Sequence, residues 1–342
     1  MTPAGSGTAG RRTGFFLLLG GVLAGSMVLS VLVGSVPLRP GAVLRALLAG
    51  GTPDAAAMIV RQIRVPRTLL AGLVGASLSL AGLGFQAISR NPLADPSVLG
   101  VSSGASFGLM VAVLLGIAGM GGNPVVTTLF AFAGALLAAS LVYAIARVDG
   151  RLPMTTLLLS GVITGLFFNA CVMLATVVLG AAELQGVVFW LMGNLGPSTW
   201  GTLAVVAAVL VAGFGVLAWD APRLNLLALG EEQALQLGVD AERVKRIVFV
   251  AASLVTGAAI SAAGSVGFVG LIIPHAARLL LGPDHRRLAP ACVLLGAAFL
   301  ILADLGARTV AAPLELPVGV ITAFCGAPLF VYLLRQRRME AW

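Results

Sequence analysis

The chain has 342 residues, of which 59% are hydrophobic and only 10% charged, and its mean hydropathy is +1.04. That composition excludes a soluble globular domain and makes hydrocarbon the natural solvent. The net charge of +8 calls for no nucleic acid, because basic loops beside anionic lipid account for it.

A bilayer core of about 30 Å is crossed by about 20 helical residues. Charge-free runs of that length begin at Gly14 to Leu38, Thr68 to Ser89 and Pro96 to Ala146 and recur along the chain. They lack the period-2 alternation of barrel strands, so each must close its backbone hydrogen bonds as a helix. Cutting at charges and at Gly/Pro/Asn clusters predicts an all-α polytopic domain over 1–342 with ten segments: 14–36, 67–89, 97–119, 124–146, 153–180, 198–218, 246–264, 267–281, 288–308 and 316–334. Turns are expected at Gly121-Gly122-Asn123-Pro124 and at Gly193-Asn194-Leu195-Gly196-Pro197.

Arg11-Arg12 before an apolar run resembles a signal peptide, but the run lasts past Val36, longer than an h-region, and reads as the first membrane helix. On alternate sides of ten crossings, Arg39, Arg45, Arg61, Arg64, Arg67 and Arg308 fall on one face, and the remaining 15 of the 21 basic residues on the other. The positive-inside bias then puts both termini in the cytoplasm. The longest polar stretches, Val36 to Val65 outside and Asp220 to Arg246 inside, have no room for a nucleotide-binding domain or a receptor lobe. Any energy source or soluble receptor is expected on another chain.

Few motifs carry chemistry. Cys171, Cys292 and Cys325 lie apart in apolar runs and read as core fillers, and His275 and His285 belong to no metal-ligand spacing. Gly82-Leu83-Gly84-Phe85-Gln86-Ala87 fits GxGxxG/A formally, without the strand that a dinucleotide site needs, and GxxxxGK[ST] is absent. Gly21/Gly25 and Gly161/Gly165 are small-xxx-small pairs suited to helix packing in lipid. Gly264, Gly267 and Gly270 suggest either plain packing or a broken helix between two crossings.

Charges at the outer side are more telling. Arg61, Arg64 and Arg67 recur every three residues at the positive end of a helix dipole, the unfavourable end for cations. They are either snorkelling anchors or a docking patch for a partner's carboxylates. Asp304 and Arg308 can pair four apart, with Glu315 just beyond. Arg90-Asn91-Pro92-Leu93-Ala94-Asp95-Pro96 is a proline-forced turn, whose chemistry leaves open whether Asn91 and Leu93 also close a pathway. In 220–246, Leu227, Ala234, Leu235 and Leu237 alternate with Glu231, Glu232 and Gln233, the pattern of short amphipathic helices resting on lipid or on a partner.

Arg64-Val65-Pro66-Arg67, Gly82 to Gln86, Arg90 to Pro96 and Leu99-Gly100-Val101-Ser102-Ser103-Gly104-Ala105 stand in order. Leu229-Gly230-Glu231, Leu237-Gly238, Gly267 to His275, Glu315-Leu316-Pro317-Val318-Gly319 and Gly326-Ala327-Pro328 follow. Together they resemble the FecCD-type permeases, which carry ferric siderophores, haem or cobalamin in ABC importers. Ser79 to Ala81 and Gly193 to Leu195 depart slightly from the pattern and name no ligand.

The resemblance implies a type II ABC importer permease in the bacterial cytoplasmic membrane, with ten helices and no cofactor on the chain itself. It also implies a second permease subunit, two cytoplasmic ATPases that hold ATP and Mg, and a periplasmic or lipid-anchored binding protein. By the same analogy Arg64, Arg67 and Arg308 dock the binding protein, and Asn91 and Leu93 form a cytoplasmic gate. Leu229, Gly230, Glu231, Ala234, Leu237 and Gly238 within 220–246 couple to the ATPase. An iron-siderophore complex is the expected cargo, with haem or cobalamin as alternatives. The competing reading is an ion-coupled secondary transporter using Asp304, His275 and Glu315.

Overall fold

The computed structural model describes residues 6–48, 55–118, 124–196 and 198–335. Gly121-Gly122-Asn123, Pro197, Arg337 and Arg338 lie outside the described residues. The order is α1 (Ser6–Leu32), α2 (Pro40–Leu48) and α3 (Ala55–Met58), which runs through a π-helical turn (Ile59–Arg64) into α4 (Val65–Ser89). A 3-10 turn (Pro96–Leu99) leads to α5 (Val101–Leu114), α6 (Pro124–Ala146), α7 (Met154–Thr176), α8 (Ala181–Leu191) and α9 (Trp200–Leu227). Then come α10 (Glu231–Gln236), α11 (Ala241–Ala263), α12 (Val269–Leu281), α13 (His285–Thr309) and α14 (Val318–Arg335).

Seven helical stretches are long and apolar enough to cross a membrane: α1, the continuous Ala55–Ser89 helix, α6, α7, α9, α11 and α13. The apolar helices α5, α12 and α14 are shorter. Each of these ten overlaps one of the expected segments, and the boundaries differ for local reasons. α9 was expected to stop at 218, but continues past Pro222 to Leu227, since a proline frees only one carbonyl when the following turns stay paired. The first part of 220–246 is therefore an extension of a spanning helix, and α10 alone stands apart from α9 and α11. α2 and α8 answer to no predicted segment.

α4 is the axis of the bundle. Its spanning window is 83% buried, against 17% for α1, and α9, α11, α12 and α13 pack around it. Close approach is set by paired glycines. A Cβ on Gly82 would lie 1.9 Å from the Gly270 carbonyl oxygen of α12, and one on Gly75 would lie 2.1 Å from that of Gly296 on α13. By contrast, Gly21 and Gly25 meet nothing within 4 Å, so that small-residue pair makes no helix contact within the chain.

Of the two readings left open for the glycine-rich run, the broken helix is the one observed. α11 ends at Ala263, and the chain turns through Gly264 (φ 70°) and Phe268 (φ 69°) before α12. Its irregular backbone is covered by protein, as membrane depth requires. Asn194 N–H donates to the Ala263 carbonyl (2.8 Å), and Val318 N–H donates to that of Gly193 (3.0 Å).

Candidate functional site

Three groups of residues bear on function, two of them at opposite ends of α4. Residues 67 and 90 are separated by about 35 Å at 1.5 Å per residue.

At the Arg67 end, the three regularly spaced arginines serve three different sets of acceptors. Arg61 Nε donates to the Ala46 carbonyl (2.5 Å), at the C-terminal end of α2. Arg64 donates from Nη1 to the Val31 and Leu32 carbonyls (2.9 Å each) and from Nη2 to the Val36 carbonyl. Helix C-termini leave carbonyls without intrahelical donors and carry partial negative charge, so cations are favourable there. The apparent misplacement of these arginines on their own helix is thus resolved by its neighbours.

Arg67 reaches the third set, the carboxylates of an ion cluster. Its Nη2 lies 2.9 Å from Asp304 Oδ1 and its Nη1 lies 2.7 Å from Glu315 Oε2. Arg308 Nε lies 2.9 Å from Asp304 Oδ2, and its Nη2 donates to Ser30 Oγ (2.8 Å). Ser30 in turn shares a hydrogen bond with Thr68 (2.8 Å). The cluster ties together α1, α4, α13 and the 310–317 loop.

The three arginines expected to dock a partner differ in exposure. Arg64 and Arg308 are each 3% exposed, turned inward because unsatisfied carbonyls and Asp304 demand donors. Arg67 sits at the rim, and Glu315, 43% exposed at its side chain, is the most open member of the cluster. Burial draws the Glu315 carboxyl upward, but the Arg67 hydrogen bond and charge, helped by Ser35 and Arg308, outweigh it and hold the group below its ordinary 4.5.

At the other end, the Arg90 to Pro96 turn is built from its own polar groups. Arg90 adopts the left-handed region to close α4, Asn91 Oδ1 accepts from Leu93 N–H (2.9 Å), and Asp95 Oδ1 caps the 3-10 turn through Ser97 N–H (2.8 Å). Asn91 therefore has a local turn-forming role, while Leu93 projects to the surface. Arg90 also lies 4.0 Å from Glu231, linking the end of α4 to α10.

The expected coupling residues divide. Leu229 and Leu237 are exposed, at 64% and 59%, and so is Leu235, which the resemblance did not single out. Ala234 is fully buried against the α9 and α11 core. Glu231 is held by Lys245 Nζ (2.7 Å), which also binds Glu242 (2.8 Å). Gly230 (φ 129°) and Gly238 (φ 80°) bracket α10 in conformations that favour glycine.

The third group was missed in the sequence. A groove of about 440 Å³ between α5 and α7 is lined by Ser97, Ser102, Ser103, Ser106, Asn169 and Ser265, with no charged side chain on its wall. Ser102 Oγ donates to Ser265 Oγ (3.0 Å), joining α5 to the broken-helix segment, while Ser103 and Ser106 return their protons to their own helix. Asn169 is exposed on a charge-free helix and has no partner among the described residues. An amide turned to hydrocarbon would be costly, so this face suits a polar space. The missed signal was the Ser97, Ser102, Ser103, Ser106 series running into a charge-free helix.

Gln86 ties α4 to α12. Pro274 has no N–H to offer the Gly270 carbonyl one turn earlier, and the buried Gln86 amide donates to it (3.2 Å) and to the Leu271 carbonyl (3.3 Å). Gln86 Oε1 accepts from Arg278 (3.2 Å).

The sequence matches the FecCD transport family over residues 22–336. It is 49% identical over 292 residues to the cobalamin import system permease protein BtuC of Halobacterium salinarum, covering 85% of this chain and 77% of that protein. It is 41% identical to the ABC transporter permease protein YvrB of Bacillus subtilis, covering 92% of each chain. Among solved structures, a transporter described as of metal-chelate ABC type, in an inward-facing conformation, superposes with a TM-score of 0.82 at 31% identity. That match covers 95% of this chain and 99% of the other. The chain belongs to the FecCD transport family and is the membrane-spanning permease of an ABC importer.

Proposed function

We propose that this permease carries a large uncharged-rimmed metal chelate of the cobalamin class through ten membrane helices, with both termini in the cytoplasm. The observation that carries the cargo assignment is the wall of the α5–α7 groove, five hydroxyls and one amide beside Val162, Leu166 and Leu191, without a charge. Such a wall hydrogen-bonds a neutral amide-bearing ligand without holding it tightly. The halobacterial relative is named for cobalamin import, which supports the same cargo. An iron-siderophore complex is the second reading, favoured by the metal-chelate description of the structural relative.

In this scheme the Arg67 end faces outward. A soluble binding protein docks on the rim formed by Arg67 and Glu315, with Arg64 and Arg308 supporting it from beneath. The α10 end faces the cytoplasm, where Leu229, Leu235 and Leu237 enter a cleft of a separate ATPase that holds ATP and Mg. Leu93 and the Asn91 turn close the path at that end, and a second permease subunit completes it across the α5–α7 face.

Proteoliposomes containing the permease, its ATPase and its binding protein test the proposal. ATP-dependent accumulation of labelled cobalamin, with little of a ferric siderophore, is the expected result. The reverse preference overturns the cargo assignment, and uptake by the permease alone under an ion gradient overturns the ABC mechanism. Asp304 lies between Arg67 and Arg308, which gives that carboxylate a helix-tying role in this scheme.

A further inference from the structure

A cavity of about 650 Å³ between α9 and α11 has no part in the transport scheme. Its walls change character along its depth. Gly215 and Val216 on α9 and Ile247 on α11 line the apolar part, while Asp220, Arg223, Asp240 and Arg243 line the mouth. Both helices pass from apolar to charged sequence at this height, α9 at Asp220 and α11 at Arg246. Trp219, 74% exposed, stands at the transition, where indole rings gather at the boundary between hydrocarbon and headgroups.

The charges at the mouth are not all available. Arg223 is paired with Asp220. Asp240 spends one oxygen on the Arg243 backbone N–H (3.0 Å), capping α11. What remains is the Arg243 guanidinium, without a side-chain partner among the described residues, and the second oxygen of Asp240. One open positive arm and one open negative arm therefore stand over an apolar floor, where Gly215 leaves open space with nothing within 4 Å of a Cβ position.

We propose that this cavity is a binding site for a zwitterionic aminophospholipid. The phosphate binds Arg243, the ammonium lies against Asp240, and the start of an acyl chain covers Gly215 and Val216. A purely anionic lipid satisfies Arg243 but brings no cation to Asp240, so the balance of charges selects the headgroup. Gly238, at the end of the α10 loop, lines the same cavity. A bound lipid would therefore brace the base of α10 from the membrane side.

The test is native mass spectrometry of the full chain in mild detergent, after exchange into equimolar phosphatidylethanolamine and phosphatidylglycerol. Wild type is expected to retain the ethanolamine lipid over the glycerol lipid by about tenfold. Arg243→Ala and Gly215→Trp are expected to abolish that preference, with Arg243→Lys keeping most of it, and circular dichroism checks that each variant remains folded. Equal retention of both lipids by wild type, or an unchanged preference in both Arg243→Ala and Gly215→Trp, overturns the proposal. So does loss of ATPase association in Arg243→Ala with lipid retention intact, because the cavity would then belong to a protein partner.

Discussion

Removing the Asp304 carboxylate isolates the main electrostatic commitment of the fold. Asp304 has a fully buried side chain between Arg67 and Arg308, whose side chains are 11% and 4% exposed. At an effective dielectric near 20, each pairing at a charge separation of about 4 Å contributes about 4 kcal/mol, and desolvating the carboxylate opposes the pair of them by several kcal/mol. Asp304→Ala removes both attractions and leaves Arg308 buried with Ser30 as its remaining acceptor among the described residues, whereas Arg67 keeps Glu315. The expected loss is about 3–5 kcal/mol, measured by tryptophan fluorescence during SDS titration in mixed micelles. The double variant Asp304→Leu/Arg308→Met, which removes the orphaned charge as well, should recover most of that loss. A single variant within about 1 kcal/mol of wild type would refute the view that this cluster locks α1, α4 and α13 together.

Other expectations follow from separate contacts. Gly82→Ala should cost about 1–3 kcal/mol or more by the same titration, because its Cβ meets the Gly270 backbone and not a movable side chain; Gly25→Ala, with open space around it, should be neutral or slightly stabilising. Glu315 has a folded-state pKa below its ordinary 4.5, so its contribution is complete above that value and disappears as acidification carries the pH below it. Glu315→Gln should therefore flatten the stability profile below about pH 4.5, by no more than about 1 kcal/mol for so exposed a pair. Some slope should remain, because Asp284 is also held below its ordinary 3.8: burial raises it, and the Asn225 and Arg286 hydrogen bonds with the Arg287 and Arg286 charges outweigh burial. Leu237→Asp should leave stability within about 0.5 kcal/mol yet lower co-purification of the ATPase; unchanged co-purification would remove α10 from the coupling interface.

The apolar helices were legible because hydrocarbon imposes one requirement, a closed backbone over a charge-free run, and such a run is visible residue by residue. α2 and α8 were not, since a short helix packed on others needs no spanning length and leaves only a weak amphipathic trace. The fates of the arginines were invisible for a different reason. Arg61, Arg64 and Arg67 share one spacing, but their acceptors are Ala46, Val31, Leu32, Val36, Asp304 and Glu315, and only the fold brings the distant members of that set near. Ala234 shows the same limit on a smaller scale, because amphipathic alternation identifies two faces of α10 without saying which one meets its own bundle.

The structure also shows how an event at one end of the molecule can reach the other. α4 carries the Arg67 cluster at one end and the Arg90 contact to α10 at the other, and it is continuous helix between them. Its flanks meet α12 and α13 across glycines, where backbone touches backbone, and beside them Leu70, Val74 and Leu78 pack in one cluster with Leu300 and Ile301. The glycine contacts put the least side-chain bulk in the way of a small shift of a rigid helix. Gln86 sets the limit of that freedom. It is buried on α4 and holds the carbonyl that Pro274 leaves open, so displacement of α4 relative to α12 must either carry the broken helix with it or expose a polar group in a dry interior. Movement of the broken helix would also displace Ser265, and with it the wall of the α5–α7 groove, which places the coupling between the two ends of α4 directly beside the proposed path.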